Sequence, residues 1–553
     1  MRFFRPLPRG VTRTVSALVL LGWVGAMAAL VDRSYVRASA NLAADLARYG
    51  SDAQWHGVYY RGEKIGFTVR QTLPTADGFE VQEDGRLQMS LLGATTFTRV
   101  RTTARLDDAF NLQSFTFLLD PGTGPLEISG ALDGLVLNLE IKTDAGVRSE
   151  RIELKEVPVL GATIGRRLAA AGLKPGATHQ WLVLDPATLQ NAPLTARVGE
   201  RRMVSSAIRR RDVPAFEVTI EFSGLRTTSW VTDTGEVVRE ESPLGLITVR
   251  ETAEAARTIA VTQRGRTDLL EAAAIVPKMA DRIDEPRDVR VLRMRLEGVD
   301  LSGFQLTGVN QTYADGVIEI RDPQDLRPTL RDPQASQYLK SEAFIESDDS
   351  EIMNEAQTAL AKIIGQRAKA ERLVRHVNGL LEKKPTVSLP SAREVLRTKV
   401  GDCNEHTILY VALARAAGIP ARIATGVALT RGAFYYHAWP EVYIDEGPRH
   451  GSGQGTWLPV DPTFNQFPAD ATHVRFATGG LDKQAAILPV IGNLKMTVVS
   501  LVLTPDGERR RTGRTTVAQP GISEVPQLPI PMPRRSTSGC WETAPPAAPS
   551  FRR

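Results

Sequence analysis

The sequence predicts an α+β protein in which a mostly antiparallel all-β region precedes a helix-and-strand region carrying the reactive residues. An N-terminal apolar segment of membrane-spanning length stands ahead of both. Three observations predict this. Short alternating segments separated by turn-forming pairs fill residues 50–260. Helical apolar periodicity takes over between residues 350 and 417, and strand alternation returns after it. An uncharged, mostly apolar run over residues 14–31 follows Arg2, Arg5, Arg9 and Arg13.

The apolar run is read first. Its arginine flank stays cytoplasmic under the positive-inside rule, so the bulk of the chain is expected on the other, periplasmic side of the inner membrane as a single-pass protein. The competing reading is a cleaved signal peptide, because Ala26-Met27-Ala28 has the small-x-small pattern. Both readings export the protein, and the apolar residues continuing to Val31 favour the anchor.

At 553 residues the chain has room for three or four domains. Its 42% hydrophobic and 24% charged residues describe an ordinary globular protein. A net charge of +5 is small for this length, and many of the arginines sit toward the two ends. No nucleic-acid partner is expected. The two cysteines, Cys403 and Cys540, imply no disulfide framework.

Residues 50–260 read as a β domain, a large curved sheet or a sandwich. Trp55 to Tyr60 and Phe216 to Ile220 are typical strands, and Asp77-Gly78, Pro121-Gly122, Asp133-Gly134 and Thr234-Gly235 mark turns. One helix is expected over residues 162–171, ended by Gly172. His56 and His179 are isolated and read as surface or satisfied core residues. Residues 261–341 form a mixed connector with a helix over 269–283, an alternating segment over 289–296 and a strand over 316–320. Helices follow over 352–381, broken at Gly365, and over 391–397.

The chemistry gathers at Gly401-Asp402-Cys403-Asn404-Glu405-His406. Leu409, Ala412, Leu413 and Ala416 make one apolar helical face, and Gly418-Ile419-Pro420 stops the helix. Asp402 suits the N-cap and Glu405 completes a capping box, which places Cys403 in the first turn. The positive helix end is expected to favour the thiolate there.

A base and its orienting group lie downstream. Tyr435, His437, Trp439, Glu441 and Tyr443 alternate on one face of a strand, and residues 457–462 read as a second short strand. The turn-rich stretch 446–455 separates them, and a hairpin with His437 opposite Asp461 has its midpoint inside that stretch. His437 then faces the thiol while Asp461 fixes its tautomer.

The blocks GDC-x-EH, GIPAR, YHAW-x-EVYI and WLPVDPT, in this order over residues 344–500, resemble the transglutaminase-like superfamily, a papain-like group of Cys-His-Asp acyl-transfer enzymes. The resemblance implies Cys403 as nucleophile, His437 as base and Asp461 as orienting carboxylate, with Trp439 and Glu441 flanking the site. It also implies a papain-like catalytic domain over residues 342–503. His406, one helical turn past Cys403, is expected to help position the cysteine or to pack structurally.

No cofactor and no metal are expected. Cys403 and His406 make only half of a zinc site, and Gly451-x-Gly453-x-Gly455 lacks the strand-turn-helix setting of a dinucleotide loop. Arg509, Arg510, Arg511 and Arg514 followed by prolines predict a disordered tail over 504–553. The expected partner is a protein or peptide substrate, such as a cell-envelope component. Hydrolysis of an amide is favoured over transfer to an amine, and a non-catalytic scaffold of the same fold is the alternative.

Overall fold

The computed structural model describes residues 53–516 except 92–93, 123, 207, 209–210, 243–244, 259–273, 281, 328, 331, 385–390, 446–453, 481–486, 488–489 and 491–492. The apolar run 14–31, Cys540 and most of the tail therefore lie outside the described residues. So do the loop 446–453 and residues 269–273 of the expected connector helix. Among the described residues no helix is long and apolar enough to cross a membrane.

Residues 54–251 build a 15-stranded sheet whose neighbours are almost all consecutive antiparallel strands. Alternation drives it. In Leu112–Asp120, Phe115, Phe117 and Leu119 are buried between more exposed neighbours, and Leu137, Leu139 and Ile141 do the same in Val136–Thr143. Gly134, at φ +61°, makes the two-residue turn that joins Leu126–Asp133 to Val136–Thr143. The sheet bends round, since the Leu112 amide donates to the Pro158 carbonyl at 3.0 Å and Leu112 shares a core with Leu160 and Leu184. The predicted helix forms as Ile164–Ala171, preceded by a short 3-10 turn and ended by Gly172 at φ +84°. His56 is buried, donates to the Val237 carbonyl at 3.0 Å, and burial lowers its pKa to about 4.

The connector pairs with the end of the helix-and-strand region. Val289–Glu297 lies between Val317–Arg321 and Lys495–Leu503 in a four-stranded sheet. The described part of the expected helix, residues 274–280 and 282–283, is not helical. Ile275 exchanges two 2.8 Å backbone bonds with Phe434, and Lys278 pairs beside Met496 and Val498. Pro277 removes a helical donor, and strand pairing satisfies the backbone instead.

The helix-and-strand region sets a helical layer on a five-stranded antiparallel sheet, ordered Thr329–Leu330, Gln454–Pro459, Ala433–Asp445, Ala421–Thr430 and His473–Thr478. Asp349 caps Ser350–Ala359 by accepting from the Glu351 amide, and Gly365, at φ +89°, separates it from Gln366–Leu380. These helices and Ala392–Thr398 surround Cys403–Ala416, whose Ile408 to Ala414 are all buried. The helix is apolar on every side because helices cover one flank and the sheet the other. Side chains from this region also meet the large sheet. Phe344 packs in its core, Arg393 donates to the Ala145 carbonyl at 2.7 Å, and Arg148 pairs with Asp348 at 3.1 Å.

Residues 505–553 form a separate unit, whose described part is the helix Pro505–Thr516. This corrects the expectation of disorder from residue 504. Proline at the first position, Asp506 and Glu508 in the first turn, and the pair Glu508–Arg511 at 2.9 Å suit a helix.

Candidate active site

The N-terminus of the Cys403 helix is built as its sequence requires. Asp402 accepts from the Asn404 amide at 2.9 Å, and the Asp402 amide donates to Glu405 at 2.8 Å, closing the capping box. Gly401 is needed beneath it, because a Cβ there would stand 2.2 Å from the Glu405 Cβ. His406 is fully buried and its Nδ1 donates to the Asp402 carbonyl at 2.7 Å. It braces the turn that presents Cys403, and burial lowers its pKa, so it stays neutral.

Thr407 ties this helix to the sheet by donating to the Ala438 carbonyl at 3.0 Å. The partly buried Cys403 sulfur meets the Ala438 backbone, next to His437. Burial pushes the Cys403 thiol well above its ordinary value. Asp402, Glu405 and Asp461 add to the rise, against a hydrogen bond from the Ala438 backbone. Burial first, and then the charges of Asp402, Glu405 and Asp461, oppose the thiolate that the helix dipole was expected to favour. The thiol therefore needs a base.

His437 lies on the central strand, paired to Gly426. Its Nε2 donates to Asp461 Oδ2 at 2.8 Å, so Nδ1 is the ring nitrogen this bond leaves unused. The imidazole stacks on Phe464 at 4.6 Å, and Trp439 lies near-parallel at 6.0 Å. The hairpin register differs from expectation. Glu441 pairs with Pro459, which places Asp461 level with Trp439, and the ladder ends before Asp461. Val460 still bonds to the Pro440 carbonyl at 2.9 Å, and the Asp461 carboxylate then reaches His437 diagonally.

Asp461 is fully buried at the mouth of a tight loop closed by two bonds with Gln466, at 2.8 and 2.9 Å. Its Oδ1 accepts from the Thr463 and Phe464 amides at 2.7 and 3.0 Å. Its Oδ2 accepts from His437 and also from His473, at 3.0 Å. Burial opposes this charge, yet His437 and His473 outweigh it and hold the carboxyl far below the usual carboxylate range. His437, Asp461 and His473 bring three possible metal-ligand atoms within 4.8 Å of one another. In this arrangement both rings point their Nε2 at one oxygen, so the set is held by hydrogen bonds, and a cation would have to displace those protons.

Trp439 and Glu441 are buried behind the imidazole. Trp439 meets His473 edge-on at 5.1 Å, and its indole N–H has no partner among the described residues. Glu441 bridges Arg422 at 2.6 Å and Arg475 at 2.9 Å. Burial opposes its charge, and the two guanidiniums still hold its pKa down. Arg422 lies 4.0 Å above the Trp457 ring. Sequence reasoning missed His473, Asp470 and Phe464. The visible signal was Asp470 three residues before His473 at the start of an alternating run.

Residues 353–462 match the family model described as the transglutaminase-like superfamily. Among curated proteins none matches the chain. A solved structure of a candidate cysteine protease from Cytophaga hutchinsonii is similar at 18% identity, covering 39% of this chain and 85% of that one with a TM-score of 0.26. A β-barrel-like domain of unknown function from Brucella abortus is similar at 13% identity, over 36% of this chain and 94% of that one, with a TM-score of 0.29. A candidate protease from Parabacteroides distasonis is similar at 12% identity, over 63% and 68%, with a TM-score of 0.17.

Proposed function

We propose that this transglutaminase-like core is a cysteine-nucleophile acyl-transfer site acting on amide bonds, with hydrolysis as its main outcome. The observation that carries the reading is the 2.8 Å bond from His437 to a buried Asp461, on the strand against which the Cys403 helix end is tied. His437 Nδ1 first takes the proton of the Cys403 thiol. The sulfur attacks the amide carbon, the C–N bond breaks as His437 protonates the leaving amine, and a thioester remains. Water then adds with His437 as base, the C–S bond breaks, and a carboxylic acid leaves with Cys403 regenerated. The Cys403 backbone N–H is one candidate oxyanion donor.

Water is always at hand, which favours a peptidase or amidase over amine transfer. The arginine-flanked apolar run supports placing the reaction at the extracytoplasmic face of the membrane, with a protein or peptide of the envelope as substrate. The alternative, a binding scaffold, predicts no covalent adduct. The test is an amide-mimicking electrophile: Cys403 is labelled in the native chain, and labelling drops by at least about a hundredfold in His437→Ala.

A further inference from the structure

We propose that His473, held between Asp461 and Asp470, is a positioning residue of this site. As an imidazolium it fixes the Asp461 carboxylate and takes up part of its charge, so that His437 rests neutral and able to accept the Cys403 proton. The inference rests on the triad reading above.

The geometry assigns the charge. His473 is 5% exposed. Its Nε2 faces Asp461 Oδ2 at 3.0 Å, and its Nδ1 faces the Asp470 carbonyl and Oδ1, each at 3.2 Å. Every one of those atoms is an acceptor, so both ring nitrogens carry hydrogen. Asp461 has four N–H donors aimed at its two oxygens and no place for a proton of its own. Asp470 is anchored in turn by the Thr472 amide and hydroxyl at 2.9 and 2.6 Å, and by Gln466 at 2.7 Å. The other charged groups nearby, Glu441 and Arg475, are paired with each other. Phe464 and Trp439 are the aromatic neighbours of both histidines. Consistent with this, the two carboxylates hold His473 up at about 10 although burial opposes them.

A fixed imidazolium changes what Asp461 can do for His437. In a lone carboxylate–imidazole couple the full negative charge favours protonated imidazole. Here the His473 and His437 ring centres are 5.6 Å apart. Two like charges at that separation inside the protein repel, so the charge on His473 opposes a second positive charge beside Asp461. Burial and the carboxylates around Cys403 disfavour the thiolate.

The test follows iodoacetamide alkylation of Cys403 across pH 5–9 in the full chain carrying Cys540→Ser, read by peptide mass spectrometry. His473→Gln keeps an N–H toward Asp461 and removes the charge. The expected result is a new shoulder of reactivity, with alkylation near pH 6 faster by about tenfold or more, as the thiolate–imidazolium pair becomes populated. An unchanged profile, or a parallel loss at every pH, overturns the proposal. Should His473→Gln fail to fold, histidine ring NMR on the native chain decides. His376 also bonds a carboxylate, Glu355 at 2.6 Å, so the ring to follow is one that is retained in His376→Gln and stays doubly protonated at pH 8.5, and a chain whose rings are all neutral there contradicts the proposal. Neither readout needs turnover, so failure to label with the amide-mimicking probe would count against the enzyme reading and leave this test standing.

Discussion

At the scale of the residue, Asp461 is the constrained atom group of the site. Asn at this position cannot receive all four donors, because its NH₂ must face either the backbone amides or the imidazoles. Asp461→Asn is thus expected to do more than weaken the base. Turnover should fall by at least about a hundredfold, and stability by roughly 3 kcal/mol, since a buried charge network loses a member. Thermal melts and turnover rates, compared with Cys403→Ala, check this; Cys403→Ala should abolish turnover at a cost below about 1 kcal/mol.

The same network sets a pH dependence. His473 is raised from its ordinary 6.5 to about 10, so its contribution is fully present below 6.5 and is lost as pH rises through about 10. Asp470 is lowered from 3.8 to about 2, with His473 outweighing burial, so its contribution is present above 3.8 and is lost as pH falls through about 2. Stability should peak between those windows, and His473→Gln should flatten the alkaline decline specifically, as read from melts between pH 5 and 10. Cys403, His437 and Asp461 could be singled out from the sequence because each sits in a motif with its own local geometry. His473 was not: its role arises from an antiparallel neighbour, Ala421–Thr430, that brings its strand within reach of Asp461.

At the scale of the element, the site depends on close strand contact. A Cβ on Gly426, opposite His437, would stand 1.9 Å from the Val474 carbonyl oxygen. Gly426→Ala must push Ala421–Thr430 away from the strand bearing His473, and is expected to destabilise by several kcal/mol and to abolish Cys403 labelling even in the folded fraction. A folded variant with native labelling would show that strand separation is tolerated. Helices were read well from caps and breakers, as Asp349, Gly365 and Asp402 show, since these signals act within one turn. The hairpin register and the segment 274–283 were misread because pairing partners far along the chain, Pro459 and Phe434, decide them.

At the scale of the whole molecule, the strand Lys495–Leu503 finds its neighbour in Val289–Glu297, and Phe344 packs within the large sheet. A fragment of residues 341–503 leaves that strand unpaired, whereas 274–504 retains it. The longer fragment should melt cooperatively and the shorter should not, by calorimetry. For the membrane reading, a reporter fused after Leu503 should be active only outside the cytoplasm, and cytoplasmic activity would overturn that topology.

The central claim is that Cys403 is a nucleophile activated by His437. Its most direct test is intact-protein mass spectrometry after exposure to an amide-mimicking electrophile. The account predicts one adduct, mapped to Cys403, absent in Cys403→Ala and strongly reduced in His437→Ala, each read on protein that is folded at the labelling temperature. A folded native chain that forms no adduct, or one that labels equally well without His437, would contradict it.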